Sequence, residues 1–193
     1  MKTTLYLARH GQTKWNKAQR FQGQLDSNLT QIGQQQSEQL ALRLANQQID
    51  LIVSSTLGRA VDSALICQRL LNTPIARLDG LTERDLGSWQ GQYIAAIKSH
   101  ENYHEILHQF TEITPPSGES AISCGSRIYQ ALKGLANSHF NKNILVIFHG
   151  EALRCFLAKL GHNSSNNAYE LFDNGCLLPL TYRHDDDSFQ LAR

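Results

Sequence analysis

The sequence predicts an α/β protein: a three-layer α/β/α sandwich with a mostly parallel central sheet and a small helical cap insertion. Apolar runs at 5–8, 51–53 and 144–148 alternate with stretches of helical period, which is the rhythm of βαβ units. Each run also ends in a polar cluster, namely Arg9-His10-Gly11, Ser54 to Arg59, and His149-Gly150. Buried parallel strands deliver polar residues in this way at a ligand-binding carboxyl edge.

The first strand is Leu5 to Ala8, followed by a helix that Thr30 caps and that turns Ile32, Leu40, Ala41 and Leu44 inward. Leu51-Ile52-Val53 forms the second strand. Ser54-Ser55 is expected to cap the next helix, whose inner face is Leu57, Ala60, Val61, Ala64, Leu65 and Leu71 and which ends near Asn72 and Pro74. Ile75 to Leu78 is a weaker third strand. From Gly80 to Pro116 the rhythm lapses, with turns at Gly87 and Gly91 and one or two helices between Ile94 and Phe110; this stretch reads as an insertion over one end of the sheet. Ser120 opens a helix through Ile122, Ile128, Leu132 and Leu135, and Ile144 to Phe148 follows as a central strand. Leu153, Phe156, Leu157 and Leu160 give the last long helix its core face. Cys176–Leu180 and Phe189–Leu191 are expected as edge strands around an Asp185-Asp186-Asp187 turn.

With 193 residues and 41% hydrophobic composition, the chain suits one domain, 1–193, with the insertion at about 92–114. Eighteen Lys and Arg against seventeen Asp and Glu leave a net charge of +1, so no single-sign field points to nucleic acid or a membrane surface as partner. No apolar run is long enough to span a bilayer and the first residues do not resemble a signal peptide, so a cytoplasmic protein is expected. Cysteines 67, 124, 155 and 176 lack metal-ligand spacing and read as reduced, mostly buried thiols.

Parallel strands could bring the three polar clusters to one edge, with Glu83 from the irregular segment nearby. Two histidines, two arginines and a carboxylate around one cavity suit phosphoryl transfer. Guanidiniums bind phosphate oxygens in pairs, a neutral imidazole attacks phosphorus, and a carboxylic acid protonates the departing oxygen. Taken singly, each of these groups reads more readily as a solvated or satisfied strand-end residue.

The segment Leu7-Ala8-Arg9-His10-Gly11-Gln12-Thr13-Lys14-Trp15-Asn16 resembles the signature of the histidine phosphatase superfamily, in its phosphoglycerate mutase-like branch. Arg20, Gln22-Gly23, Asp26, Leu29-Thr30 and Gly33 follow in the family's order. Residues 54–60 (SSTLGRA), 81–91 (LTERDLGSWQG) and 116–120 (PSGES), then His149-Gly150 and Arg154, extend the resemblance over nearly the whole chain except about 92–114. It implies that His10 is the nucleophile that becomes phosphohistidine, that Arg9, Arg59 and His149 grip the phosphoryl oxygens, and that Glu83 is the proton donor. Asn16 and Gln22 would add neutral hydrogen bonds, while Gly23, Gly11 and Gly150 keep backbone close to the pocket. The implied enzyme is a phosphomonoester hydrolase of a small phosphorylated metabolite, with no metal and no cofactor, acting as a monomer or homodimer. His10 would be neutral and His149 cationic.

Two other readings stand beside it: a cofactor-dependent phosphoglycerate mutase and a noncatalytic phospho-ligand binding protein. The stretch after Gly91 lacks the long basic insert that such mutases resemble one another in, and the full His10, Arg59, Glu83 and His149 set argues against a mere binder. Ser63 stands where the family commonly has Thr, keeping the hydroxyl, and Thr56 where Pro is frequent. Glu151, beside His149-Gly150, would repel a phosphate if it faced inward, so it is expected to face away. His100, His104 and His108 recur at helical spacing beside Glu101 and Glu105, and a solvated helix over the site mouth is expected there in preference to a metal site. Trp15 and Trp89 read as rim or packing residues. Tyr93, Tyr103 and Phe110 are candidates for the leaving-group side, although aromatic residues more often simply pack.

Overall fold

The computed structural model describes residues 1–191. Strand β1 (Lys2–Arg9) is followed by a one-turn helix α1 (Lys14–Lys17), helix α2 (Gln31–Leu44), β2 (Leu51–Ser54), α3 (Gly58–Leu71) and β3 (Ile75–Arg77). Two short helices, α4 (Ile94–Ile97) and α5 (Tyr103–His108), occupy the irregular segment. Then come α6 (Ala121–Asn137), β4 (Asn143–Phe148), α7 (Gly150–Lys159), α8 (Ala168–Leu171), β5 (Leu177–Arg183) and β6 (Ser188–Leu191).

The six strands form one sheet in the order β3-β2-β4-β1-β5-β6. The first four are parallel, while β5 runs antiparallel to β1 and β6 antiparallel to β5. β5 is therefore interior, and of the two expected edge strands only β6 is one. Side chains alternate across β4 with a period of two. Ile144, Val146 and Phe148 join the core beneath α6 and α7. Leu145 and Ile147 join the opposite core with Leu40, Ala41 and Leu44 of α2 and Ala60, Ala64 and Cys67 of α3. Both faces of the sheet are thus covered, giving three layers. A separate small core gathers Phe21, Leu86 and Trp89 with Ile97 of α4 and Ile106 and Leu107 of α5.

Local chemistry sets the helix starts. Thr30 and Ser120 cap α2 and α6, their hydroxyls accepting from the Gly33 and Ser123 amides at 3.0 Å each. The α2 inner face is Gly33, Ser37, Leu40, Ala41 and Leu44. Ile32 lies one residue off that stripe and is 52% exposed, a correction that follows from the 100° step between helical neighbours. Helix α3 is not capped by Ser54 or Ser55: its N-cap, Leu57, has no capping side chain, and Asp26 from a distant loop accepts from the Gly58 and Arg59 amides instead. Leu57, Leu65 and Leu71 are only half-buried, with Ser63, Ile66 and Cys67 completing the inner face. The helix ends at Asn72 in the left-handed conformation (φ 50°), its amide donating to Gln68 O. Cys67, Cys124 and Cys155 are buried free thiols and Cys176 is half-buried.

One close approach fixes where β1 delivers its residues. A Cβ on Gly11 would lie 2.1 Å from Gly33 O, and a Cβ on Gly33 would lie 2.1 Å from Gln12 O. The turn after β1 and the first turn of α2 meet backbone to backbone, which only glycine permits. Gly11→Ala is expected to push these segments apart, lowering stability by about 1 to 3 kcal/mol. It should also lower kcat by roughly 100-fold, because a displacement of about 1 Å at the adjacent nucleophile has that cost. Thermal melts and steady-state rates on the variant check both.

Candidate active site

The carboxyl ends of β1, β2 and β4 lie side by side. The His10 amide donates to Phe148 O and the Ser55 amide to Ile147 O, each at 3.0 Å, so the residues following three neighbouring strands are locked at one edge. Arg9, His10, Asn16, Gln22, Gly23, Arg59, Glu83 and Gly150 line a single narrow pocket. His149 stands beside it, its ring centroid 5.3 Å from that of His10. The sequence-predicted residues therefore converge.

His10 is 2% exposed. Its Nδ1 lies 2.7 Å from Gly11 O, a contact that requires a hydrogen on Nδ1 and leaves the lone pair on Nε2. That lone pair accepts from Arg59 Nε at 3.2 Å. Burial, then Arg59 and Arg9, hold the imidazole well below its ordinary pKa, against the smaller opposing effect of the Gly11 bond. The ring is therefore neutral and nucleophilic. Arg59 is itself anchored: its Nη1 donates to Leu25 O (2.8 Å) and Asp26 (3.0 Å), and its Nη2 to Gly23 O (2.7 Å). The hydroxyl of Ser63 accepts from the Gly11 amide (3.0 Å) and donates to Arg59 O (2.9 Å), so the serine retains the function a threonine hydroxyl would have.

His149 corrects an expectation. Burial, then Arg59, His10, Arg9 and Arg127, hold it well below the ordinary imidazole range, so it is neutral and not cationic before ligand arrives. Its Nε2 is 2.8 Å from Ser55 Oγ. Among the described residues, its Nδ1 and Arg9 Nε are buried nitrogens with no partner. Arg9 Nη1 donates to Phe172 O at 2.5 Å. A Cβ at Gly150 would sit 3.2 Å from Arg9 Nε, so the glycine avoids crowding that nitrogen.

Glu83 sits at the N-terminus of α7. One carboxyl oxygen accepts from the Arg84 and Ala152 amides (2.9 and 2.8 Å) and the other from the Glu151 amide (3.3 Å). Burial, then the Glu151 charge, raises its pKa, opposed by Arg59 and by the amide bonds. It is thus biased toward the acid form. Asn16 Oδ1 accepts from the Thr13 amide (3.1 Å) and Asn174 Nδ2 (3.2 Å), and Gln22 Oε1 from the Thr13 hydroxyl (3.0 Å). Their NH2 groups remain to donate within the pocket that both residues line. Gly23 has φ +53°, a conformation that presents its carbonyl to Arg59 and that other residues rarely adopt.

Glu151 is itself among the residues lining the pocket, but its charge is paired with two arginines. Its carboxylate is buried between Arg154 and Arg84, at 3.0 and 3.2 Å. The aromatic expectations need revision. Tyr103 stacks on the buried Trp89 at 6.1 Å, Tyr93 is exposed beneath Arg20, and Phe110 packs on the α6 and α7 core. None lines the pocket. The aromatic that does is Tyr169 of α8, with Arg9 over its ring at 5.4 Å. It lies in a stretch without apolar rhythm; the usable signal is the capping box of Asn167 and Glu170 that starts its helix. The three histidines at 100, 104 and 108 do not converge: His104 and His108 stack at 4.4 Å, while His100 meets the edge of Trp89.

A buried neutral imidazole that accepts from a guanidinium, in one pocket with a buried carboxyl of raised pKa, is suited to phosphoryl transfer from a phosphomonoester. A family model for the histidine phosphatase superfamily, branch 1, matches residues 5–193, and the chain belongs to that family. It is 34% identical over 168 residues to a metal-independent phosphoserine phosphatase of Arabidopsis thaliana, covering 84% of this chain and 71% of the relative. It is 35% identical over 158 residues to a Yersinia pestis protein named "Probable phosphoglycerate mutase GpmB", covering 81% and 74%. Among solved structures, a phosphoserine phosphatase mutant from Entamoeba histolytica in complex with phosphoserine superposes with a TM-score of 0.83 at 27% identity, over 99% of this chain and 95% of that one.

Proposed function

We propose that the protein hydrolyses a small phosphomonoester through a phosphohistidine at His10. The observation that carries this reading is an imidazole lone pair held by a guanidinium, with two buried unpartnered nitrogens on neighbouring residues. His10 Nε2 is held by Arg59 Nε, and the buried Arg9 Nε and His149 Nδ1 have no other partner. An incoming phosphoryl group offers oxygens to all three donors. Arg59 Nε turns from the lone pair to an oxygen and frees the nucleophile.

In the first step the His10 Nε2 lone pair forms a bond to phosphorus as the ester oxygen departs, and that oxygen takes the proton of Glu83. The Nδ1–H bond to Gly11 O stabilises the positive charge that develops on the ring. In the second step a water attacks phosphorus, its proton passes to the Glu83 carboxylate, and the N–P bond breaks. Phosphate leaves with His10 neutral and Glu83 protonated again. The donors supply the charge stabilisation without reorganising. Residues 92–114 act as the cap of a single domain spanning 1–193, influencing the leaving group through Leu86 and Tyr169. The protein works in the cytoplasm as a monomer or homodimer on a small phosphorylated metabolite.

Rapid quench into alkaline detergent with a 32P-labelled phosphomonoester should trap a base-stable phosphoprotein that loses its label on acid treatment, with inorganic phosphate accumulating in the absence of an acceptor. A mutase would instead return the label to a hydroxyl on the substrate skeleton, and a noncatalytic binder would trap no label. The pH dependence has a worked sign. His10, lowered, stays a base into acidic solution, and activity falls only as pH drops through that lowered value. Glu83, raised, keeps its proton above the ordinary carboxyl range, and activity falls as pH rises through that value. A bell-shaped kcat/KM profile with an acidic optimum is expected, since kcat/KM reports the free enzyme and the first transfer, for which Glu83 must hold its proton. A plateau continuing into alkaline pH would contradict the assignment.

A further inference from the structure

Two arginines that take no part in phosphate binding are buried behind the proton donor. Arg84 is 0% exposed and Arg154 is 4% exposed, yet one carboxylate serves both. Glu151 takes Arg154 Nε on one oxygen (3.0 Å) and Arg154 Nη2 with Arg84 Nη1 on the other (3.0 and 3.2 Å). Arg84 is also a junction, donating to Ile106 O at 2.6 Å and Glu119 O at 2.9 Å. It thereby joins the cap helix α5 and the turn before α6 to α7. Glu83 is the residue before Arg84, and its carboxyl is held by the amides of Glu151 and Ala152 on that same α7 turn. A single side chain thus pins both the segment that carries Glu83 and the helix end that receives it.

We propose that Glu151 is the positioning residue for the proton donor, its buried carboxylate holding Glu83 in place and in its proton-bearing form. This rests on the reading of Glu83 as the donor. The groups facing Glu83 are Glu151 on α7, Arg59 on α3, Arg127 on α6 and Tyr169 on α8, with His10 across the pocket. Arg127 is paired with Glu119 at 2.7 Å and Arg59 with Asp26. Glu151 is therefore the nearby anion that opposes loss of the Glu83 proton. The cluster itself contains two cations and one anion, so a neutral residue at 151 leaves two positive charges behind the donor.

The test is the alkaline limb of the kcat/KM profile on a simple alkyl phosphomonoester, whose leaving oxygen needs a proton. Glu151→Gln keeps the shape and removes the charge, and should move that limb to lower pH by about half a unit or more. Glu151→Asp keeps the charge and should return the limb toward its original place. If Glu151→Gln does not fold, Glu151→Gln with Arg154→Met removes the stranded cation too. The shift keeps its direction there, because the Glu151 charge bears on Glu83 more strongly than the Arg154 charge does. A limb that stays in place while kcat/KM falls equally at every pH would overturn the proposal, leaving Glu151 a packing residue. Glu83→Gln separates the two failures. If it hydrolyses the alkyl ester at the normal rate, the donor assignment falls; if it is slow while the Glu151→Gln limb is unmoved, only the present inference falls.

Discussion

His10→Ala lowers kcat by about 10⁴-fold or more, because it removes the atom that bonds to phosphorus and not merely a contact that steadies it. The remaining donors still bind a phosphoryl group, so binding of inorganic phosphate or vanadate should survive while turnover disappears. That split distinguishes a lost nucleophile from a collapsed pocket. The fold tolerates the change because the ring is neutral and its Nδ1 partner is the neighbouring carbonyl of Gly11. A circular-dichroism melt within a few degrees of the parent and no trapped phosphoprotein are the expected results. A variant with normal turnover would refute the mechanism.

Arg59→Ala is expected to be nearly as damaging, lowering kcat by roughly 10³ to 10⁵-fold, the range in which a single guanidinium contributes to phosphoryl transfer. It also weakens the fold. The carbonyls of Gly23 and Leu25 lose their donors, although Asp26, 38% exposed, keeps access to water. The cost in stability is about 2 to 4 kcal/mol, seen as a lowered urea midpoint. Arg59→Lys retains the charge but cannot supply Nε to His10 and two Nη groups to three oxygens at once. A loss of about 100-fold in kcat with a smaller loss of stability is expected there. Equal activity of the Lys variant and the parent would show that charge alone suffices at this position.

How far the sequence foretold these contacts depends on whether each is local. β1, β2, β4 and the turns that carry Arg9, His10 and His149 are readable because apolar runs ending in polar clusters are a local pattern. The Thr30 and Ser120 caps are readable for the same reason. The cap of α3 was not, since Asp26 reaches it from a loop more than two dozen residues upstream. Tyr169 and Asn174 were missed because the stretch holding them has no periodicity, and only tertiary packing turns them toward the pocket. The neutral state of His149 could not be read from composition either. It arises from four charged or titratable neighbours and burial that no single segment contains. Glu151 drew notice as an anion beside a phosphate site, but its two arginine partners lie on different segments.

The sheet order carries a consequence for how the molecule is made. Both neighbours of β1 come late in the chain: Thr4 pairs with Asn143 on one side and with Thr181 on the other. During synthesis the first strand emerges with nothing to pair against, its Leu5 and Leu7 exposed until β4 arrives and slots between it and β2. Such long-range parallel pairing forms slowly and leaves apolar edges open to aggregation. The nucleophile is thus made well before the strands that flank it and is among the last groups to reach its working position, and fragments ending before β4 would carry His10 without any capacity for chemistry.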